Sequence, residues 1–160
     1  MKRDTPAKLL RVGAKAIVMA LAKHDVKGRN LARLPATDPF AGEACLAIEA
    51  ARDGNVLVLD RPVARLPERL TQRLAGVVMR RELRGLPLEA GDVILRDRTA
   101  LVVLPAALAD QVAEEAAEAV AFEEFTAEQV NQGGGVYGLH IPSGERAKQA
   151  FAAWRRMKGR

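Results

Sequence analysis

Gly91-Asp92-Val93-Ile94-Leu95-Arg96-Asp97-Arg98-Thr99-Ala100-Leu101-Val102-Val103-Leu104-Pro105 decides how this chain is read. Its two apolar runs, 92–96 and 100–104, have strand length and are separated only by Asp97, Arg98 and Thr99, so they predict a hairpin. Pro105 then opens a long helix to about Gln132, with Leu108, Val112, Ala116, Ala119 and Phe122 on one stripe and acidic residues on the other. Gly133-Gly134-Gly135 ends that helix, and Ser143 caps a final one that carries Phe151 and Trp154.

Upstream, residues 55–60 contain Val-Leu-Val-Leu, a continuous apolar run that marks a strand buried on both faces. A short helix over 66–74 and a second buried strand over 75–79 follow, and strand, helix, strand at this spacing predicts a parallel crossover. Before them, the periodicity of Ala44, Ile48 and Ala51 predicts a helix from Asp38-Pro39 to Gly54. Residues 27–39 read as a loop or a short edge strand. Residues 6–23 read as a helix with Leu10, Ala14, Ile17 and Leu21 inward, begun by Thr5-Pro6 and slightly weakened by Gly13.

The 160 residues, 49% of them apolar, suffice for one core, so a single α/β domain over 1–160 is expected. Only six residues are aromatic, so aliphatic helix and strand faces must do the packing. Cys45 has no partner for an internal disulfide and reads as a buried small hydrophobe, which fits a reducing, cytoplasmic compartment. Lys2 and Arg3 precede an apolar run over 16–22, but Arg11 and Lys15 interrupt the stretch, against a secretion signal. No segment has the apolar length of a membrane span.

The net charge of +5 conceals a partition. Between Thr99 and Ser143 there is no Lys or Arg, while Asp110, Glu114, Glu115, Glu118, Glu123, Glu124 and Glu128 are acidic, leaving a net +12 elsewhere. Complementarity within the chain or between subunits is the expected use of this asymmetry. Specific nucleic-acid binding is not expected, because no aromatic residues are interleaved with the basic ones for base stacking. His24 and His140 lie in no metal-ligand spacing and read as structural or surface groups.

Glu89-Ala90-Gly91-Asp92, the hairpin, Leu101-Val102-Val103-Leu104-Pro105 and the long helix resemble the family of the regulator of ribonuclease activity A and the 4-hydroxy-4-methyl-2-oxoglutarate aldolases. Ala121-Phe122-Glu123-Glu124-Phe125, Glu128-Gln129-Val130, Gly138-Leu139 with Pro142, and Phe151-Ala152-Ala153-Trp154-Arg155 extend the likeness, which is firmest over 89–158. Upstream, 54–60 and Ala75-Gly76-Val77-Val78 resemble two further strands of the family. The resemblance implies a three-layer β/β/α sandwich of the swivelling-domain kind, internally truncated here, and assembly as a homotrimer or hexamer. It also implies a lyase that cleaves or decarboxylates α-keto acids, as a 4-hydroxy-4-methyl-2-oxoglutarate aldolase or oxaloacetate decarboxylase does, with Mg2+ or Mn2+ holding the substrate and absorbing enolate charge. Other members act as protein inhibitors of an RNA-degrading enzyme, which leaves a non-catalytic binding or regulatory subunit with a protein partner as the alternative.

Carried over residue by residue, the family's Arg-Asp pair after the Ala-Gly-Val-Val strand falls on Arg81 and Glu82, with Arg80 beside them. The resemblance makes Arg81, with Arg80, the groups for the substrate carboxylate, Arg81 and Glu68 the catalytic residues, and Glu82, with Glu68 beside it, the metal ligand, an oxygen donor one methylene longer than Asp. Glu68 takes the place of a carboxylate at a helix N-terminus, after Pro67 where the family has glycine, so one backbone N–H donor is lost. The family's further strands are shortened to residues 83–87, and charged side chains on a truncated loop are the competing reading of Arg80, Arg81 and Glu82. In the hairpin turn Ala100 replaces a glycine, and a positive φ there is costly.

Overall fold

A computed structural model describes residues 1–24, 26, 30–32, 38–133 and 145–159. The chain divides into two compact units, Met1–Ala117 and Glu118–Arg160. The first begins with a helix, α1 (Thr5–Ala22), followed by strands β1 (Asn30–Ala32), β2 (Phe40–Cys45) and β3 (Val56–Leu59). A short helix α2 (Glu68–Thr71), strands β4 (Gly76–Met79), β5 (Val93–Arg96) and β6 (Ala100–Leu104), and the long helix α3 (Ala109–Asn131) come next. Helix α4 (Glu145–Met157) completes the order, and α3 runs across the boundary between the units.

The described strands lie in the order β1-β6-β5-β2-β3-β4. The predicted hairpin is present, pairing Val93 with Leu104 and Arg96 with Leu101, and β1 is the short edge strand beside it. The predicted parallel pair is present too, with Val56 opposite Gly76 and Leu59 opposite Met79. Alternation along the strands then makes three layers. Val93, Leu95, Val102, Leu104 and Ala41 face Leu9, Ile17 and Leu21 of α1 and Val112 and Ala116 of α3. On the other face, Phe40, Ala44, Ile94, Leu101 and Val103 pack with Val56, Val58 and Val78 of the parallel strands, which curl over them. The molecule is thus a mixed α/β protein with a long helix and a C-terminal helix, as the sequence predicts.

The helix expected over 38–54 is instead strand β2 and a single 3-10 turn, Ile48–Ala50. Its run of alanines reads as helix, but small residues serve close approach between strands here. A Cβ on Gly42 would lie 2.2 Å from the carbonyl oxygen of Gly54, and one on Gly76 would lie 2.6 Å from the Phe40 ring. β2 is held on both sides, antiparallel to β5 with Glu43 opposite Val93, and parallel to β3 with Ala44 opposite Val56.

Helix α1 also departs from expectation. Gly13 (φ 79°, ψ 165°) breaks it, so Ala14, Ile17 and Leu21 point inward as predicted while Leu9, rather than Leu10, is buried before the kink. The break frees the Ala14 N–H, which donates to Asp97 Oδ2 at 2.7 Å. Asp97 Oδ1 accepts from the Thr99 and Ala100 N–H groups at 2.7 and 2.9 Å and from the Thr99 hydroxyl. One carboxylate therefore closes the hairpin turn and caps the kink. Ala100 begins β6 without a positive φ, so the predicted strain is absent there; among described non-glycine residues that conformation occurs at Arg84. Thr5 is not the N-cap: Asp4 takes that place, and the Thr5 hydroxyl donates to Asp110 Oδ1 at 2.6 Å.

The short connection after β4 opens with a 3-10 turn, Arg80–Leu83, with Leu83 buried and Leu86 and Leu88 packed against the same core. In the second unit, Phe125, Phe151 and Trp154 form a separate aromatic cluster with Ala121, and Trp154 Nε1 donates to Glu128 Oε2 at 2.8 Å. Along α3, Val112 and Ala116 are buried as expected, while Ala119 is exposed. Gly133 takes a positive φ at the end of α3; Gly134, Gly135, His140 and Ser143 lie outside the described residues. No described helix is long and apolar enough to cross a membrane.

Burial alone would raise the pKa of Asp97, but the hydrogen bonds from Ala14, Thr99 and Ala100 outweigh it and hold the carboxyl below its ordinary 3.8. Its contribution is therefore complete above that value and is lost as pH falls through the lowered folded pKa. Asp97→Ala should lower stability by about 2 kcal/mol at pH 7, the scale of hydrogen bonds to a charged acceptor. Urea melts should show the gap narrowing below pH 3.8; a gap independent of pH would contradict this role. Gly42→Ala should cost about 1–3 kcal/mol, because backbone must shift to admit the methyl, and an unchanged urea midpoint would refute that close approach.

Candidate functional site

Of the residues singled out in the sequence, Arg80, Arg81 and Glu82 follow the carboxyl end of β4, and Glu68 opens α2. The strand register brings Leu59 beside Met79, so the chain leaves the sheet at Asp60 and Arg80 together. Arg80 Nε donates to Asp60 Oδ1 in an exposed ion pair. Arg81 follows on the 3-10 turn, exposed, with no side-chain ion pair or hydrogen bond among the described residues.

Glu82 turns inward. Its Oε2 accepts from Arg96 Nη2, and its Oε1 receives the Met79 N–H at 3.4 Å, which closes the turn. The Arg96 side chain is only 7% exposed and its guanidinium lies 5.3 Å from the centre of the Phe40 ring. A charge this buried needs acceptors, and Glu82 is one of them. Glu68 is the first residue of α2, exposed, and accepts from Gln72 Nε2 at 3.5 Å one turn along its own helix. The described hydrogen bonds thus send Glu68 and Glu82 to different partners.

A divalent cation needs several oxygen donors and tolerates no adjacent positive charge without cost. Among the described residues no three His, Cys, Asp or Glu side chains are grouped as such a site, and Glu82 already faces a guanidinium. The residues present therefore do not fit the metal that the resemblance implies. Arg96, Phe40 and Asp60 are the members of the cluster that sequence reasoning missed. One signal was available: Arg96 follows Ile94 by two in a strand whose alternate positions face the core, so it had to be buried and paired.

The charge asymmetry is used within the first unit. Lys8 Nζ pairs with Glu114, which raises the lysine pKa chiefly through their hydrogen bond. His24 Nε2 meets both oxygens of Glu115 at 3.0–3.1 Å. Hydrogen bonds from Gln111 and then from His24 hold the Glu115 carboxyl below its ordinary range, and the Thr5 hydroxyl does the same for Asp110. His24 is thereby placed as a clasp between α1 and the start of α3.

A cleft of about 450 Å³ lies elsewhere, where β2 ends and β3 begins. It is lined by residues 43–47 at the end of β2, by Ala50, Arg52 and Asn55 before β3, and by Ala90 and Gly91. Cys45 is buried, and its thiol donates to the Ala47 carbonyl at 3.0 Å. The cleft borders the start of β3, whereas the Arg80–Glu82 cluster borders its end.

No family model matches the chain, and neither does any curated protein. Solved structures do share its fold. An uncharacterized protein from Pseudomonas syringae pv. tomato str. DC3000 superposes with a TM-score of 0.60 at 15% identity, over 88% of this chain and 98% of that one. A structure described as novel cellulases from microbes associated with the gut ecosystem gives 0.57 at 11% identity, over 78% and 87%. At these identities the likeness is one of fold alone.

Glu82→Ala should destabilise the protein by about 2 kcal/mol, the scale of a hydrogen bond between charged groups. Urea melts check this, with Arg81→Ala, an exposed neighbour, expected to stay within about 0.5 kcal/mol of the parent; equal effects would show that Glu82 is not structural.

Proposed function

We propose that this chain is a non-catalytic relative of the regulator of ribonuclease activity A and aldolase family, acting as a binding or regulatory subunit through contacts with copies of itself or another protein. The observation that carries this reading is the engagement of Glu82 by buried Arg96. A carboxylate engaged by a buried guanidinium is a poor ligand for Mg2+ or Mn2+, because binding a cation there would cost it a charge-assisted hydrogen bond and set the metal beside a positive charge. Glu68, bonded along its own helix, does not complete a ligand set with it. Without a metal to absorb enolate charge, the α-keto acid chemistry of the family loses its main stabilising element.

A second reading, a divalent-metal-dependent lyase acting on α-keto acids, retains one observation in its favour. Arg81 is exposed and unpaired among the described residues at the position where the resemblance places the substrate carboxylate, with Arg80 next to it. A coupled assay for pyruvate release from oxaloacetate, with and without Mn2+, separates the two. The binding-subunit reading expects no release above the metal-only background. Metal-dependent turnover that disappears in Arg81→Ala would establish the lyase instead.

A further inference from the structure

We infer that the cleft between the end of β2 and the start of β3 binds a small zwitterion with an aliphatic side chain, of the α-amino acid type. Its volume of about 450 Å³ is within the range of small-molecule sites, and it sits where β2 exchanges an antiparallel neighbour for a parallel one. Glu43, Arg52 and Asn55 are the polar members of a lining otherwise made of Ala, Leu, Cys and Gly.

The carboxylate end of the ligand has two donors. The turn before β3 holds Arg52 and Asn55 together: the Arg52 N–H donates to Asn55 Oδ1 at 2.8 Å, and the Asn55 N–H donates to the Arg52 carbonyl at 3.1 Å. With Oδ1 engaged, the carboxamide offers Nδ2 as a donor beside a guanidinium that has no ion pair among the described residues. An arginine so placed suits a carboxylate by geometry as well as charge. The ammonium end has Glu43, whose side chain is 41% exposed and whose Oε2 lies outside the contact that Oε1 makes. A carboxylate can accept several such bonds. Ala44, Cys45 and Ala47 add small apolar surface to the lining, since the Cys45 thiol is satisfied by the Ala47 carbonyl. A simple carboxylate would leave Glu43 opposed to it, and a simple amine would leave Arg52 unused.

The test is a titration of the ¹⁵N-labelled full chain with L-leucine, isovalerate and isoamylamine, followed by amide shifts. L-Leucine should give saturable shifts centred on Cys45, Ala47 and Asn55. Isovalerate and isoamylamine should each bind about tenfold more weakly, having lost one charge-assisted contact, and Arg52→Gln should weaken L-leucine by a similar factor. Arg52 is exposed, so that variant keeps its core, and its spectrum reports its fold. Non-saturating or scattered shifts with L-leucine, equal affinity for isovalerate, or full affinity in Arg52→Gln would overturn the inference.

Discussion

Strand β2 is bonded on both edges, and the first unit depends on that double pairing. On one side it continues the antiparallel sheet of the hairpin; on the other it begins the parallel pair. A strand that serves two neighbours of opposite direction lets one sheet curl until Val56, Val58 and Val78 cover the hairpin's second face. The curl brings backbone within contact distance of backbone. Only a residue without a side chain fits at Gly42, and Gly76 must leave room for the Phe40 ring.

The same curl explains the fate of the charged residues. Arg96 ends β5 on the inner face, beside Phe40 and below the turn that follows β4. The turn presents Glu82 to it. Asp97 has a comparable double duty, joining the hairpin turn to the kink of α1. The acidic start of α3 is likewise matched to Lys8, Thr5 and His24. In each case a polar group satisfies backbone or charge that the chain's own geometry exposes.

Much of this was legible beforehand. The hairpin, the parallel pair and the long helix announce themselves because their apolar runs have the length and spacing of the elements they form. Strand β2 did not, since Ala41 and Ala44 belong to a helix-favouring composition and the demand for small residues comes from Gly54 and Ala75, far away in sequence. Leu10 was misplaced because a glycine with φ 79° shifts the helical phase, which no periodicity count includes. At the candidate site, the positions of Arg81 and Glu82 at the end of a strand could be read, but not that Glu82 would turn to Arg96. That pairing depends on the curl, and Arg96 itself was the clue, a charge in a core-facing register.

The central claim is that Glu82 belongs to a structural ion pair and not to a metal site. Paramagnetic broadening of amide resonances by Mn2+ in the full-length protein tests it most directly. The account predicts only weak, non-saturating broadening, spread over exposed carboxylates such as Glu114 and Glu118. Saturable broadening centred on residues 79–84 and reaching Glu68 would contradict it.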